Sequence, residues 1–317
     1  MGWLLAPLAL LIERVLGYPA WLYKVIGHPV TWMGALISWL DTRLNTGTSR
    51  RLRGVLFLLL LLLTALTAGL LVLALTRRVP FGWVLEAPLA STLLAQKELG
   101  RAVKAVADGL SLSLDSARRA VRHIVGRDPD TLDEPGVARA AIESLAESTS
   151  DGVVAPLFWL LIAGLPGILI YKAANTADSM VGHKNERYLE FGWASAKFDD
   201  LLNWIPARLT ALLMAGAAFL VRRADPENAW STALRDARKH DSPNAGWPEA
   251  AFAGALGFRL GGPRAYEGEV HDLPTFGDGR VELTALDVLK ALELYWMAMN
   301  LLLVGTLALG LILWRFA

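Results

Sequence analysis

The segment YKAANTADSM (171–180) follows a long apolar stretch and concentrates polar side chains within ten residues. Five of them lie at near-helical spacing: Lys172, Asn175, Thr176, Asp178 and Ser179. A lysine can hold a phosphate as a point charge, and aspartate and asparagine oxygens can ligate Mg²⁺. A lysine that reaches toward lipid headgroups beside helix-capping groups would explain Lys172. It would not explain so dense a set of polar groups.

A second group of carboxylates precedes the same apolar stretch. Glu143, Glu147 and Asp151 are spaced four residues apart, which places them on one face of a helix. Carboxylates beside a membrane segment can hold Mg²⁺ together with phosphate oxygens and water. A solvated helix face followed by an N-cap explains the same spacing. Both interpretations stay open at this point.

The third group lies in GHKNERYLEFGWASAKFDDLLNWIPARL (182–209). Lys184, Arg187 and Lys197 supply cations in this segment. Two aspartates and an asparagine lie within one helical turn of each other: Asp199, Asp200 and Asn203. A salt-bridged surface connection accounts for most of these charges. The Asp199–Asp200 pair with Asn203, directly before an apolar segment, is the less ordinary part.

Two loops carry further polar candidates. His28 precedes a proline in GHPVTWMG (27–34), and Ser242 and Asn244 lie in the turn SPNAG. An isolated histidine is more often structural than catalytic, and such a turn is common. The chain has no GxxxxGK[ST], GxGxxG or HExxH signature. The residues alone therefore indicate a polar site lined by carboxylates, amides and lysines, suited to a phosphorylated ligand and Mg²⁺.

The elements that must position these groups are apolar. Hydrophobic residues make up 54% of the 317-residue chain, and the mean hydropathy is +0.39. Residues 54–75 carry no charge and exceed the ~20 residues that cross a bilayer as a helix. Four segments are predicted to be membrane-embedded: 54–75, 153–173, 205–221 and 294–314. Arginines flank both ends of the first segment, so the positive-inside rule does not decide the orientation.

Two of the apolar segments are unusual. Segment 153–173 contains Pro156, Gly164, Pro166 and Gly167, which predicts a kinked, broken or re-entrant helix. The N-terminal stretch MGWLLAPLALLIERVLGYP is apolar but interrupted by charge, which favours an amphipathic or partly inserted helix. If all four segments span, the polar groups alternate between membrane faces. Either one segment is re-entrant or the site is a cavity reached from one side.

The rest of the chain is predicted to be polar and helical. Regions 76–152 and 222–293 show helical spacing, the second ending in a Gly/Pro-rich loop, and no strand alternation is seen. We therefore expect an all-α, multi-pass membrane protein with about four or five membrane-embedded helices in a single domain, 1–317. The absence of cysteine excludes disulfides and thiolate sites and fits an inner-membrane protein facing a reducing cytosol. A net charge of +1 gives no electrostatic case for nucleic acid.

Five blocks together resemble the adenosylcobinamide-phosphate synthase family of cobalamin biosynthesis. In order they are GHPVTWMGALI (27–37), SDGVVAPLFW (150–159), GLPGILIYKAANTADSMVGH (164–183), RYLEFGWASAKFDDLLNWIPARLTAL (187–212) and SPNAGWPEAAFAGALGFRLGGPRAYEG (242–268). They span nearly the whole chain in the family's order and spacing. Two positions depart from the pattern: Ser148 replaces an asparagine, and Tyr18 replaces an acid, so neither receives a function.

The resemblance implies a multi-pass inner-membrane ligase. It would join (R)-1-amino-2-propanol O-2-phosphate, or a related aminoalcohol phosphate, to a propionate of adenosylcobyric acid, giving adenosylcobinamide phosphate. ATP and Mg²⁺ would drive the amide bond. The lipid bilayer and other late cobalamin enzymes are the implied partners, and the oligomeric state is left open.

The family chemistry gives the residues hypothetical roles. Catalytic or metal-binding roles fall to Glu147, Asp151, Asp178, Asp199 and Asp200, of which the four aspartates are the Mg²⁺ candidates. Phosphate contacts fall to Lys172, Lys184, Arg187 and Lys197. Substrate-positioning roles fall to His28, Asn175, Thr176, Ser179, Asn203, Ser242 and Asn244. Two other classes compete: a non-catalytic membrane sensor or corrinoid-binding protein on the same scaffold, and a transporter, which would predict inverted repeats that the chain lacks.

Overall fold

The fold is known from a computed structural model, which describes residues 4–126, 129–262, 264–266, 269–271 and 273–316, without the side chains of 264–266 and 269–271. Helices dominate these residues. In chain order they are α1 Leu5–Leu16, α2 Ala20–Ile26, α3 Pro29–Leu44, α4 Arg50–Thr76, α5 Trp83–Ser91, α6 Gln96–Leu112, α7 Leu114–Val121, α8 Glu134–Thr149, α9 Ala155–Val181, α10 Trp193–Ala218, α11 Pro226–Asp236, α12 Gly246–Leu256 and α13 Ala285–Phe316. The predicted all-α class is confirmed.

Among the described residues, four helical stretches are long and apolar enough to cross a membrane: Arg50–Thr76, Glu134–Val181, Trp193–Ala218 and Ala285–Phe316. A fifth span results if the pair Leu5–Leu16 and Ala20–Leu44, bent by 102°, counts as one. The four predicted segments lie within these stretches, apart from the last three residues of 205–221. The helices are longer than the apolar segments because polar turns extend them.

Contacts divide the chain into two compact units. Unit 1 consists of Met1–Ala95, Ala155–Asn203 and Gly305–Ala317, and unit 2 of Gln96–Val154 and Trp204–Val304. The assignment of 1–317 to one synthase domain stays a prediction.

Helix α9 is the central element of unit 1, where α1, α3, α4 and α5 all contact it. The phenyl rings of Phe57 and Phe191 meet here with their centroids 5.1 Å apart, and both are fully buried. Full burial of such a side chain stabilises a fold by about 1.5–3 kcal/mol. This packing holds the polar stretch 171–180 against its neighbours.

Two glycines let α4 approach its partners closely. A Cβ on Gly69 would lie 2.7 Å from the Cα of Pro166 in α9, and one on Gly54 would lie 1.9 Å from the backbone oxygen of Phe191. Neither position has room for a side chain without movement of a backbone. Helix α4 therefore packs within unit 1 through close backbone contacts at its glycines as well as through its apolar side chains.

The predicted break in segment 153–173 is confirmed and lies at Gly164. This residue has φ 63° and ψ −152°, which is not helical, so α9 consists of two helices joined by a kink at Gly164. Just before α9, Ser150–Val154 form a π-helical turn. Such turns occur often at functional sites.

Unit 2 contains α6, α7, α8, α11 and α12, together with residues 204–218 of α10 and 285–304 of α13. Helices α11 and α12 pack through Gly254, whose carbonyl accepts a 2.7 Å hydrogen bond from the side chain of Asn228. The prediction of a purely loop-like end to this region was wrong. Four short strands lie within it: β1 Leu260–Gly261, β2 Arg264–Tyr266, β3 Glu269–His271 and β4 Thr275–Phe276.

The strands form two separate antiparallel pairs, β1 with β4 and β2 with β3. They are two or three residues long, too short for the alternation that identifies a strand in a sequence. The Glu143 carboxylate accepts the backbone amide of Gly261 in β1 at 2.6 Å. This buried carboxylate therefore anchors the paired strands to α8.

The close approach of α4 generates a first prediction. We expect Gly54→Ala to lower the free energy of unfolding by about 1–3 kcal/mol, because the new methyl group overlaps a backbone carbonyl. Thermal unfolding of the purified protein in detergent measures the change. The matched control is Gly305→Ala in α13, where no atom lies within 4 Å of the added methyl group. An equal melting temperature for Gly54→Ala and the wild type would contradict this packing.

Asp236, at the end of α11, has a side chain that is 1% exposed. The guanidinium of Arg235 donates two hydrogen bonds to this carboxylate, at 2.7 and 2.8 Å. The carboxylate also forms an ion pair with Lys239 at 2.7 Å and accepts a hydrogen bond from the Gly277 amide at 2.9 Å. Burial alone raises the pKa of Asp236, but hydrogen bonds from the two cations and the amide outweigh it. The pKa is held well below its usual range.

A second prediction follows from this carboxylate. Its stabilising effect is fully present above the unfolded-state pKa of about 3.9 and is lost as the pH falls through the lower folded-state pKa. We expect Asp236→Asn to cost roughly 3 kcal/mol near neutral pH. The difference from the wild type should stay constant from pH 5 to 7 and shrink below about pH 4. Melting temperatures across this range test it, with Asp278→Asn as control, because Asp278 pairs with Arg235 but is 81% exposed.

Candidate functional site

A network of buried hydrogen bonds in unit 1 ends on the carboxylate of Asp199. The side-chain amide of Asn203 donates to one Asp199 oxygen at 2.9 Å, and that of Asn175 donates to the other at 3.3 Å. The hydroxyl of Tyr171 donates to the Asn203 oxygen at 2.9 Å, and Lys172 Nζ lies 3.4 Å from the Asn175 oxygen. Two amides thus connect a tyrosine and a lysine to one aspartate that is 8% exposed.

Helical spacing explains why these groups meet. Tyr171 and Asn175 are four residues apart on α9, and Asp199 and Asn203 are four apart on α10, so each pair shares a face. Small buried residues, Ala174 and Ala177, allow the close approach of neighbouring elements around them. The structure therefore brings together Lys172, Asn175, Asp199 and Asn203, all predicted from the sequence.

Helix α10 is also fixed by a proline. Pro206 has no amide hydrogen, so the carbonyl of Leu202, four residues earlier, lacks its usual helical donor. The indole of Trp159 donates to that carbonyl at 3.1 Å. This contact fixes the turn of α10 that carries Asn203.

Further carboxylates surround the network. Asp178 and Asp200 lie close enough to Asp199 for their charges to repel it. The Asp200 carboxylate forms an ion pair with the ammonium of Lys197, with 3.0 Å between Oδ2 and Nζ. The half-buried Asp178 makes no side-chain hydrogen bond or ion pair within the described part of the chain. Two adjacent carboxylates without a full set of cations favour a bound cation.

The described residues contain no group of three or more histidine, aspartate or glutamate side chains placed to hold a metal. Mg²⁺ is commonly held by one or two carboxylates, with water and phosphate oxygens completing the shell. The Asp178–Asp199 pair fits that pattern, because it supplies two neighbouring carboxylates, and Asp178 forms no hydrogen bond or ion pair among the described residues. The imidazole of His183 is close enough to act on Asp178 electrostatically. Asp151, another predicted Mg²⁺ ligand, lies in unit 2.

His28 caps α3. Its Nδ1 accepts the amide of Val30 at 3.2 Å, and its own amide donates to the hydroxyl of Thr31 at 3.1 Å. The ring also hydrogen-bonds the backbone of Thr92, and Lys172 is close enough to interact with it electrostatically. Tyr18, at the position that departs from the family pattern, packs edge-on against this ring at 4.4 Å. The structure thus gives His28 a capping role beside the lysine.

Several other predicted residues of unit 1 have local roles. The hydroxyls of Thr176 and Ser179 donate to the carbonyls of Lys172 and Asn175, four residues earlier in α9. Arg187 forms a 2.6 Å ion pair with Asp41, whose carboxylate is buried. Lys184 is exposed in the turn after α9.

The remaining predicted residues belong to unit 2. Glu147 is exposed on α8, and Asp151 is half-buried in the π-helical turn. Glu143 and Glu147 lie four residues apart on α8, as the spacing predicts, and Glu143 is bonded to the Gly261 amide. Asp151 lies beyond the end of α8. The Ser242 hydroxyl accepts the amides of Asn244 and Ala245.

Asn244 lies beside Arg208. The guanidinium of Arg208 donates to the Asn244 oxygen at 3.1 Å and to the carbonyls of Trp204 and Pro243. It lies over the rings of Trp204 and Trp247, 4.5 and 4.8 Å from their centroids. These contacts hold the guanidinium of Arg208 against Asn244 and the two indole rings.

Sequence reasoning missed Tyr171, Asp41 and Arg208 as members of polar clusters. Tyr171 could have been found, since it lies four residues before Asn175 and would share its helical face. Asp41 gave no local signal, because its partner Arg187 is 146 residues away. Such pairings are set by tertiary packing.

Comparison with known proteins identifies relatives over nearly the whole chain. The family model described as CobD/Cbib protein matches residues 6–295. Cobalamin biosynthesis protein CobD of a Sinorhizobium species is 48% identical over 98% of both chains. The protein of the same name from Rhodobacter capsulatus is 50% identical over 95% of this chain and 94% of its own. No solved structure matches. The chain belongs to the CobD/Cbib family of proteins.

Proposed function

We propose that this protein is the ATP-dependent ligase that forms adenosylcobinamide phosphate in cobalamin biosynthesis. The observation that carries the proposal is the match to cobalamin biosynthesis proteins at about half identity over nearly the full length. The hydrogen-bonded carboxylate site of unit 1 supports it, because that site lies in two of the blocks that resemble the synthase family.

The reaction joins a carboxylate to an amine. A propionate oxygen of adenosylcobyric acid attacks the γ-phosphorus of ATP, giving an acyl phosphate and ADP. The amine nitrogen of the aminoalcohol phosphate then attacks the acyl carbon, phosphate leaves with the C–O bond electrons, and the nitrogen loses a proton. Cations and metal ligands around the phosphate are the protein's main contribution to such a transfer.

Asp178 and Asp199 are the residues that would hold Mg²⁺, which would neutralise charge on the ATP phosphates. The amides of Asn175 and Asn203 keep the Asp199 carboxylate in one orientation. Lys172 supplies a cation beside the same network, and Lys184 and Lys197 are further candidates for phosphate contacts. Arg187 is paired with Asp41, so we assign it a structural part in the site.

We place the protein in the cytoplasmic membrane, with its nucleotide site open to the cytosol that supplies ATP. The apolar helices support a membrane location. A large corrinoid would approach from the same side, together with the aminoalcohol phosphate.

The reaction itself is the first test of the proposal. The purified protein in detergent, with Mg²⁺, ATP, adenosylcobyric acid and aminopropanol phosphate, should form adenosylcobinamide phosphate and ADP in equal amounts, and omission of any component should stop it. Chromatography of the corrinoids and an ADP assay measure both products. Corrinoid binding without turnover would overturn the ligase and favour a sensor or carrier on the same scaffold.

The metal assignment gives a separate prediction. We expect Asp178→Asn to raise the Mg²⁺ concentration for half-maximal rate at least about tenfold, because one metal-binding carboxylate becomes a neutral amide. Asp108→Asn is the matched control, since Asp108 pairs with Lys104 on the exposed surface of α6. An unchanged Mg²⁺ dependence in Asp178→Asn would remove Asp178 from the metal site.

A further inference from the structure

An open polar pocket of about 530 Å³ lies in unit 1 between the end of α3, the start of α4 and the turn after α9. Two carboxylates and two guanidiniums line it, from Asp41, Glu186, Arg50 and Arg187. Its formal charge is therefore zero, but both signs are present. Its volume falls within the ~300–1,000 Å³ typical of small-molecule sites.

Two of the four charged side chains, Asp41 and Arg187, pair with each other in the wall of the pocket. Asp41 is buried and accepts Arg187 at 2.6 Å, the amide of Asn45 at 3.0 Å and the hydroxyl of Tyr188 at 3.3 Å. Asn45 also donates to the Arg187 carbonyl at 3.3 Å. This hydrogen-bonded cluster joins α3 to the turn after α9 and leaves neither Asp41 nor Arg187 in need of a ligand.

The other two charged side chains of the pocket, Arg50 and Glu186, are available to a ligand. Within the described ranges, neither Arg50 nor Glu186 forms an ion pair or a side-chain hydrogen bond. The side-chain oxygen of Asn45 is buried and accepts no hydrogen bond. Such a buried acceptor is costly unless a ligand or water supplies a donor. The pocket thus presents one cation, one anion and one orphaned acceptor.

We infer that this pocket binds a zwitterionic aminoalkyl phosphate, with its phosphate at Arg50 and its ammonium at Glu186 and the Asn45 oxygen. A ligand with only negative charge would be repelled by the two carboxylates of the pocket. A ligand with only positive charge would be repelled by its two guanidiniums. A molecule that carries both charges a few bonds apart satisfies both ends. The inference deepens the proposed function, on which it rests for its soluble ligand, by giving the aminoalcohol phosphate a site.

The pocket is linked to the proposed ligase site by the chain itself. The turn that carries Asn185, Glu186 and Arg187 begins at Gly182, where an added Cβ would lie 1.9 Å from an Asp178 carboxylate oxygen. The backbone amide of Gly182 donates to the backbone carbonyl of Asp178 at 2.7 Å. The turn that lines the pocket therefore starts in direct contact with the proposed metal-binding residue.

Two sources could supply the same chemistry. One is the free aminoalcohol phosphate, and the other is the headgroup of phosphatidylethanolamine, because Arg50 begins the candidate membrane span α4. Both present a phosphate and an ammonium group separated by a short carbon chain. A binding experiment can distinguish them.

The test measures equilibrium binding of O-phosphoethanolamine to the delipidated full-length protein, without corrinoid or ATP. We expect at least tenfold tighter binding than for inorganic phosphate or ethylamine alone. Arg50→Gln and Glu186→Gln should each weaken it at least tenfold. The matched controls are Arg51→Gln, whose guanidinium stacks on Trp193 at 3.9 Å, and the exposed Glu190→Gln, and both should bind as the wild type does.

Equal affinity for inorganic phosphate, or wild-type affinity in both pocket variants, would overturn the inference. Nanodiscs identify the source: competition by phosphatidylethanolamine but not phosphatidylglycerol assigns the pocket to lipid, and its absence assigns it to the soluble ligand. A failure of the proposed ligase function can be distinguished from a failure of the pocket assignment. Binding without ligation would leave the pocket in place, whereas ligation with an unchanged KM for the aminoalcohol phosphate in Arg50→Gln would exclude the pocket as its site.

Discussion

Unit 1 depends on satisfying one buried carboxylate among apolar helices. A charge in such surroundings is costly unless hydrogen-bonded, and lipid supplies no donors. Asp199 meets this requirement with the amides of Asn175 and Asn203, one on each of its oxygens. Because the two amides belong to different helices, the requirement also fixes how α9 lies against the N-terminal part of α10. A change in the rotation of either helix would leave a donor or the carboxylate unsatisfied.

The glycines and prolines of unit 1 serve the same arrangement. Gly54 and Gly69 let α4 approach backbone atoms near Phe191 and Pro166, which places α4 beside both ends of the polar stretch. The non-helical Gly164 in α9 lies between Trp159 and the polar stretch 171–180. Regular helices alone would not place the polar blocks, which are separated along the sequence, around one carboxylate.

Much of the fold could be predicted because its signals are local. The uncharged run 54–75 predicts α4, and the prolines and glycines of 153–173 predict the break that occurs at Gly164. Within the site, the spacing of Lys172, Asn175 and Asp178, and of Asp199 and Asn203, is enough to predict shared helix faces. The rest depends on distant partners. Nothing near Asp41 indicates Arg187, and nothing near Glu143 indicates the amide of Gly261, so one residue was missed and the other was read as part of a solvated or metal-binding face. The two-residue strands were missed because pairing, and not their composition, defines them.

The hydrogen bond between Trp159 and Leu202 has a consequence for movement. Trp159 lies before the break at Gly164, whereas Tyr171 and Asn175 lie after it, and all three are bonded to the same stretch of α10. This stretch of α10 is therefore hydrogen-bonded to both halves of α9. The halves can hinge at Gly164 only if the indole releases the Leu202 carbonyl, or if Tyr171 and Asn175 release Asn203 and Asp199. Release of the indole alone would leave the hydrogen bonds of Asp199 intact, whereas release of Tyr171 and Asn175 would dismantle the site.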